Sequence, residues 1–296
     1  MRLIAILGSS GSGKSALAHT IAKEKGCEIF SLDSLGIYKG LDVIAAKPTN
    51  EEQREVRYYA LNHLAPDEPS NALLFKTLLE SAIASAEQNR AKALLIVGGS
   101  SFFLKSFIEG LSPMPELEEA MAWVSTLGSL GECYARLQEI DPLHASSLSP
   151  SDTYRIHKAL ALYKASGLPP SEYFSTHPKQ PFAYPMELFC LTREREELRG
   201  RILRRSEAML ANGAIDEVRA VLDGYGEEAC ALKAIGAKEC LGFLKGEIDS
   251  EAKLLEQIYF HTCQLAKRQA TFNRTQFQNL AHLNALELEQ KLREIL

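Results

Sequence analysis

The chain has 296 residues, 46% hydrophobic and 24% charged, with a net charge of −5 at pH 7, which suits a globular enzyme of about two domains. No apolar run approaches the roughly 18 residues of a membrane span, and Met1–Leu7 leads directly into glycines and a lysine rather than a small-residue cleavage site, so a cytoplasmic protein is expected. The acidic balance argues against a general nucleic-acid coat protein. Six cysteines without a C-x-x-C pair and seven histidines without H-E-x-x-H argue against a zinc site, a disulfide scaffold and a zinc hydrolase.

Residues 2–7, RLIAIL, read as a buried strand ending at Gly8. Residues 14–25 carry helical apolar spacing at Leu17, Ala18, Ile21 and Ala22, and 28–32 form a second strand. A helix is predicted over 73–88, then a third strand over 93–97 that stops at Gly98-Gly99. This alternation predicts an α/β fold with a parallel sheet flanked by helices; the nearly continuous apolar strands fit a sheet covered on both faces. The rhythm changes at Pro113 and Pro115, and helical segments run to about Gly167 before a proline-rich stretch, 177–185. The expected organisation is therefore a first core segment, 1–112, an all-helical insertion, 113–182, and a second core segment, 183–296. In that last segment a strand over 187–191 rejoins the sheet and the rest is mostly helical, with breaks near Gly213, Gly224 to Gly226 and Gly246.

Between the first strand and the first helix, Gly8, Ser9, Ser10, Gly11, Ser12, Gly13, Lys14 and Ser15 match G-x-x-x-x-G-K-[ST], in the strand–loop–helix context that the pattern requires. Such a loop turns backbone N–H groups inward onto phosphate oxygens, and the helix N-terminus adds partial positive charge. Lys14 is expected to reach a terminal phosphate and the Ser15 hydroxyl to ligate Mg²⁺. The strand over 93–97 ends without a carboxylate, so Asp33 is the only strand-end acid in the N-terminal half. It suits either a metal role or action on an acceptor. The run 193–205 holds six arginines against three glutamates. It reads first as an exposed, charge-laced helix and second as a wall facing phosphates, with Arg201 and Arg205 one turn apart.

These motifs belong to a larger pattern. Asp33-Ser34-Leu35-Gly36-Ile37-Tyr38-Lys39-Gly40-Leu41-Asp42 followed by Ala46-Lys47-Pro48 resembles the hallmark segment of tRNA dimethylallyltransferases. Further similar blocks follow in order: Val97 to Phe103, Glu109 to Pro113, Asp141-Pro142, Asp152 to Leu160, Ala234 to Gly236, and Gln264 to Gln269. The resemblance covers nearly the whole chain and implies a P-loop NTPase-like sheet with a helical, tRNA-binding insertion. It also implies transfer of a dimethylallyl group from dimethylallyl diphosphate to N6 of the adenosine 3′-adjacent to the anticodon, in tRNAs that read codons beginning with U.

On that resemblance the loop from Gly8 to Ser15 holds the diphosphate, Lys14 and Ser15 with Mg²⁺ stabilise the leaving group, and Asp33 takes the amine proton. The tRNA anticodon stem-loop is expected against Asp33, Ser34, Leu35 and Gly36, Ser100, the stretch Tyr154, Arg155, Ile156, His157 and Lys158, and Gln264 with Arg268. The enzyme is expected to be a monomer with no membrane partner. Some positions depart from the family pattern: Tyr154 stands for Gln, Lys158 for Arg, Tyr58-Tyr59 for two histidines, Phe103 for Tyr and Phe272 for Trp. Two other readings of the loop are a small-molecule kinase using ATP, with Asp33 as the base for a hydroxyl, and a nucleotide switch.

Overall fold

The computed structural model describes residues 1–296. Six parallel strands make one sheet in the order β3-β2-β4-β1-β5-β6: β1 Arg2–Gly8, β2 Glu28–Ser31, β3 Tyr58–Tyr59, β4 Ala93–Gly98, β5 Glu187–Leu191 and β6 Ala281–Leu283. β1 sits between β4 and β5, with Ile4 opposite Leu95 and Glu187. It is buried from Leu3 to Gly8, as a central strand covered on both faces must be.

The two faces are sorted by alternation along each strand. Ile4, Ile6, Ile29, Leu95 and Phe189 point to the face covered by α1, Lys14–Lys25, and the C-terminal helix; Ala18, Ile21, Leu288 and Leu292 complete that core. Phe30 points the other way and meets Phe75 edge-on. Phe75 lies on the helix Ala72–Gln88. Two short helices, α2 Asp42–Ala45 and α3 Asn50–Glu55, fall between β2 and β3, so Ala72–Gln88 is α4, and α5, Ser101–Glu109, follows β4.

The chain divides into two compact units, residues 1–107 with 183–296, and residues 108–182. The second is all-helical: α6 Glu118–Val124, α7 Leu130–Ile140, α8 Pro142–Ser146, α9 Thr153–Ser166 and α10 Pro170–Thr176. Its core is built from Ala120, Val124, Cys133, Leu137, Ile156 and Leu160. Asp141 caps α8 through His144 N–H at 2.9 Å and reaches Ser171 N–H at 2.6 Å. Burial pushes its carboxyl up, but these bonds outweigh burial and hold it below its ordinary value. Returning to the first unit, α11 Arg195–Ala211 and α12 Ala214–Tyr225 lead through a 3₁₀ turn, Cys230–Lys233, to α13 Ala237–Leu244. The long α14, Glu251–Gln276, then precedes β6 and α15, Ala285–Ile295. All six cysteines are free thiols.

Candidate active site

The phosphate loop leaves the end of β1 and enters α1 at Lys14. Gly11 and Gly13 take left-handed backbone, φ 81° and 91°, a conformation that favours glycine. A side chain at Gly13 would also strike the Arg201 guanidinium. The first turn of α1 carries no side-chain cap and no acidic residue, which leaves its N–H groups open to an anion. The loop itself is braced from two sides. From α14, Gln269 Oε1 accepts the Ser10 N–H at 2.8 Å while its Nε2 donates to Gly99 O at 3.0 Å, and Ser9 Oγ donates to Ala266 O. From the other side, Arg193 Nε donates to Ser12 O at 3.0 Å and Arg201 Nε to Gly11 O at 2.8 Å. These bonds fix the loop's backbone, and Lys14 Nζ donates to Ser9 O at 3.3 Å. The buried Ser12 hydroxyl has no partner.

A cavity of about 480 Å³ opens over this loop. It is lined by Gly13, Lys14 and Ser15, by Arg201, Arg204 and Arg205, and by apolar groups, among them Ile29, Ala45, Leu61 and Val97. Asp33 lines the same cavity. Burial lowers the Lys14 ammonium from its ordinary 10.5 to about 8; Asp33 pulls it upward and Arg205 pushes it further down. Burial likewise lowers Arg205, again opposed by Asp33. The site is therefore a concentrated positive field moderated by one carboxylate, a setting for polyanion binding.

Asp33 is held by its own turn. Its Oδ1 accepts the N–H groups of Leu35 at 2.9 Å and Gly36 at 3.4 Å, leaving Oδ2 open. The Ser34 N–H donates to Ser100 Oγ at 3.1 Å, which ties this turn to the end of β4. There Gly98 permits close approach, since a side chain on it would overlap Leu32 O.

The structure sorts the remaining candidates. Ser10, Gly11, Gly13, Lys14, Ser15, Asp33 and Gly36 line the cavity, while Gly8, Ser9 and Ser12 do not, and Ser34 is linked to Ser100. Tyr154 is 67% exposed and accepts from Lys158 Nζ at 3.0 Å, and Arg155 is exposed. With Met114, His144 and Phe174, Arg155 and Lys158 line one groove of the helical unit. Gln264 and Arg268 share a face of α14. Two candidates are corrected as side-chain contacts: Ile156 is fully buried in the core of its unit, and the Leu35 side chain is buried as well. Their backbone N–H groups are engaged as well, that of Ile156 with Asp152 O and that of Leu35 with Asp33 Oδ1. The reading of 193–205 as a simply exposed helix is corrected too, because Arg193, Arg201 and Arg205 face the phosphate loop or its cavity. Gln269 is a brace that sequence reasoning passed over, although it closes the Gln264–Gln269 block.

A parallel sheet flanked by helices, with a glycine-rich loop at its carboxyl edge and a carboxylate in the same cavity, is a P-loop NTPase-like fold. Residues 36–276 match the IPP transferase family. Over 99% of this chain and 97% of that protein, the sequence is 59% identical to the tRNA dimethylallyltransferase of Helicobacter hepaticus. It is 47% identical to that of Wolinella succinogenes, over 99% and 98%. Among solved structures, the tRNA isopentenylpyrophosphate transferase of Bacillus halodurans superposes with a TM-score of 0.69 and 27% identity, over 99% of this chain and 94% of that one. The chain belongs to the IPP transferase family of tRNA dimethylallyltransferases. No helix is long and apolar enough to cross a membrane.

Proposed function

We propose that this enzyme transfers a dimethylallyl group from dimethylallyl diphosphate to the N6 amine of the adenosine 3′-adjacent to the anticodon, in tRNAs reading codons that begin with U. The relatives favour this over an ATP-dependent kinase using the same loop. The observation that carries the reading is one cavity holding both a braced anion cradle and a carboxylate with a free oxygen.

The diphosphate sits on the N–H groups at the start of α1, against Lys14, Arg201 and Arg205. As the C1–O bond breaks, its electron pair leaves with the diphosphate, and these cations stabilise the growing charge more strongly than water could. N6 forms the new bond to C1, and its proton passes to Asp33 Oδ2. The amine is a weak nucleophile, so alignment matters as much as basicity, and the turn that fixes Asp33 supplies it. An unpaired loop base reaches such a cavity at modest unstacking cost.

The Ser15 hydroxyl lines the cavity beside Lys14 and, as an oxygen donor, would serve as the protein's ligand to a Mg²⁺ bound with the diphosphate. When bound, that ion adds positive charge to the leaving group. Tyr154, Arg155, His157 and Lys158, and Gln264 with Arg268, supply contacts to the anticodon stem-loop, mostly to phosphates.

The direct test of this pocket is diphosphate release, followed with purified protein, Mg²⁺ and dimethylallyl diphosphate. Release that requires unmodified tRNA supports the reading. Release of equal rate without RNA, or ATP turnover on a small-molecule panel in its place, refutes it.

A further inference from the structure

Two elements that hold the site also carry aromatic rings to the surface. α5 begins directly after Ser100, and Phe102 in its first turn is 60% exposed. α14, whose Gln269 braces the phosphate loop, carries Phe272 three residues further on. The Phe102 and Phe272 centroids are 6.4 Å apart at 67°, and Phe272 meets Phe277 at 6.2 Å and 72°. A ring so exposed adds little to the core, and Phe102, Phe272 and Phe277 in successive contact form one contiguous aromatic patch, the kind of surface that marks an interaction site. Along α14, Phe272 lines an open depression of about 520 Å³ together with Lys267 and Arg268. From Gln257 to Leu286 the chain holds Lys267, Arg268 and Arg274 and no Asp or Glu, and neither Lys267 nor Arg268 forms an ion pair. Aromatic faces rimmed by unpaired cations fit a nucleobase with its phosphate, because every base has a π-face and each carries a negative linkage.

We propose that Phe102 and Phe272 form a stacking site for the unpaired nucleobase adjoining the acceptor adenosine, with Lys267 and Arg268 on its phosphate. This deepens the prenyl-transfer reading and rests on it. Stacking on this platform draws the loop open next to the cavity and favours the extruded position of the target base.

The test uses the full-length enzyme and an anticodon stem-loop RNA. For Phe272→Ala the KM for RNA is expected to rise roughly tenfold, with a smaller rise for Phe102→Ala. Turnover at saturating RNA and affinity for diphosphate stay at the wild-type level. Phe272→Trp retains the wild-type KM. Phe272→Leu, which keeps apolar packing but lacks a π-face, behaves as Phe272→Ala and so separates stacking from folding. Leu286→Ala, a comparably exposed apolar site on α15, changes nothing. Replacing each neighbour of the acceptor by an abasic residue in turn should, at one of them, erase the difference between wild type and Phe272→Ala. Unchanged KM in both alanine variants overturns the proposal, as does a full penalty that persists on both abasic RNAs. If the wild type binds the stem-loop but transfers nothing, the transfer reading fails, and the same variants' Kd for RNA still decides the stacking site.

Discussion

Replacing Asp33 by Asn isolates its charge. The amide keeps Oδ1, so the bonds from Leu35 N–H and Gly36 N–H and the turn they define survive; what is lost is the proton acceptor at the other oxygen. A positioned general base contributes about 10²- to 10⁴-fold, so single-turnover transfer should fall by that range, equivalent to roughly 3–5 kcal/mol in the barrier. Diphosphate affinity should not weaken, because the substitution removes a negative charge from a cavity walled by Lys14 and Arg205. Rapid quench with radiolabelled dimethylallyl diphosphate reads the first quantity, and calorimetric titration with diphosphate reads the second. A transfer rate within about threefold of wild type refutes Asp33 as the base. Lost diphosphate binding with Mg²⁺ present would make it a metal residue instead.

Lys14 predicts a pH signature. Its ammonium is lowered to about 8, so the charged form is lost as pH rises through that value, and diphosphate affinity should fall there rather than near 10.5. Lys14→Arg should flatten the fall, and the difference between the two titrations removes the ligand's own ionisation; superimposable profiles would contradict the assignment. Gln269→Ala leaves the Ser10 N–H and Gly99 C=O without their partner, at a cost of about 1–3 kcal/mol, to be seen as a lower thermal midpoint together with weaker diphosphate binding. Lys47→Met removes the ammonium of a side chain only 2% exposed, which donates to Tyr38 O at 2.6 Å, Asp42 Oδ1 at 2.7 Å and Asn62 Oδ1 at 2.6 Å. Chemical denaturation should register a loss of about 2–3 kcal/mol.

The phosphate loop was legible because its function depends on local backbone: the glycines, the lysine and the helix start lie within eight consecutive residues. The central strands were legible for a related reason, since continuous apolar runs are needed where a strand is covered on both faces. β3 and β6 were not, being two- and three-residue edge strands whose pairing is decided by neighbours distant in sequence. Arginines of 193–205 give the same pattern whether they face water or phosphate. Only the packing of Ile202 and Leu198 toward Gly11 turns Arg201 inward. Gln269 was hidden likewise, because a polar residue on a mostly polar helix announces no partner. Conversely, Ile156 sits within a stretch read as RNA-facing, and the one-in-four periodicity of a helix carries it into the core.

The most direct measurement is mass spectrometry of tRNA nucleosides after incubation of the purified protein with Mg²⁺, dimethylallyl diphosphate and unmodified tRNA that reads U-starting codons. The account predicts an adenosine heavier by one dimethylallyl group, formed only when both substrates are present and absent with Asp33→Asn on the same time scale. Unmodified adenosine from an enzyme that binds both substrates would contradict it.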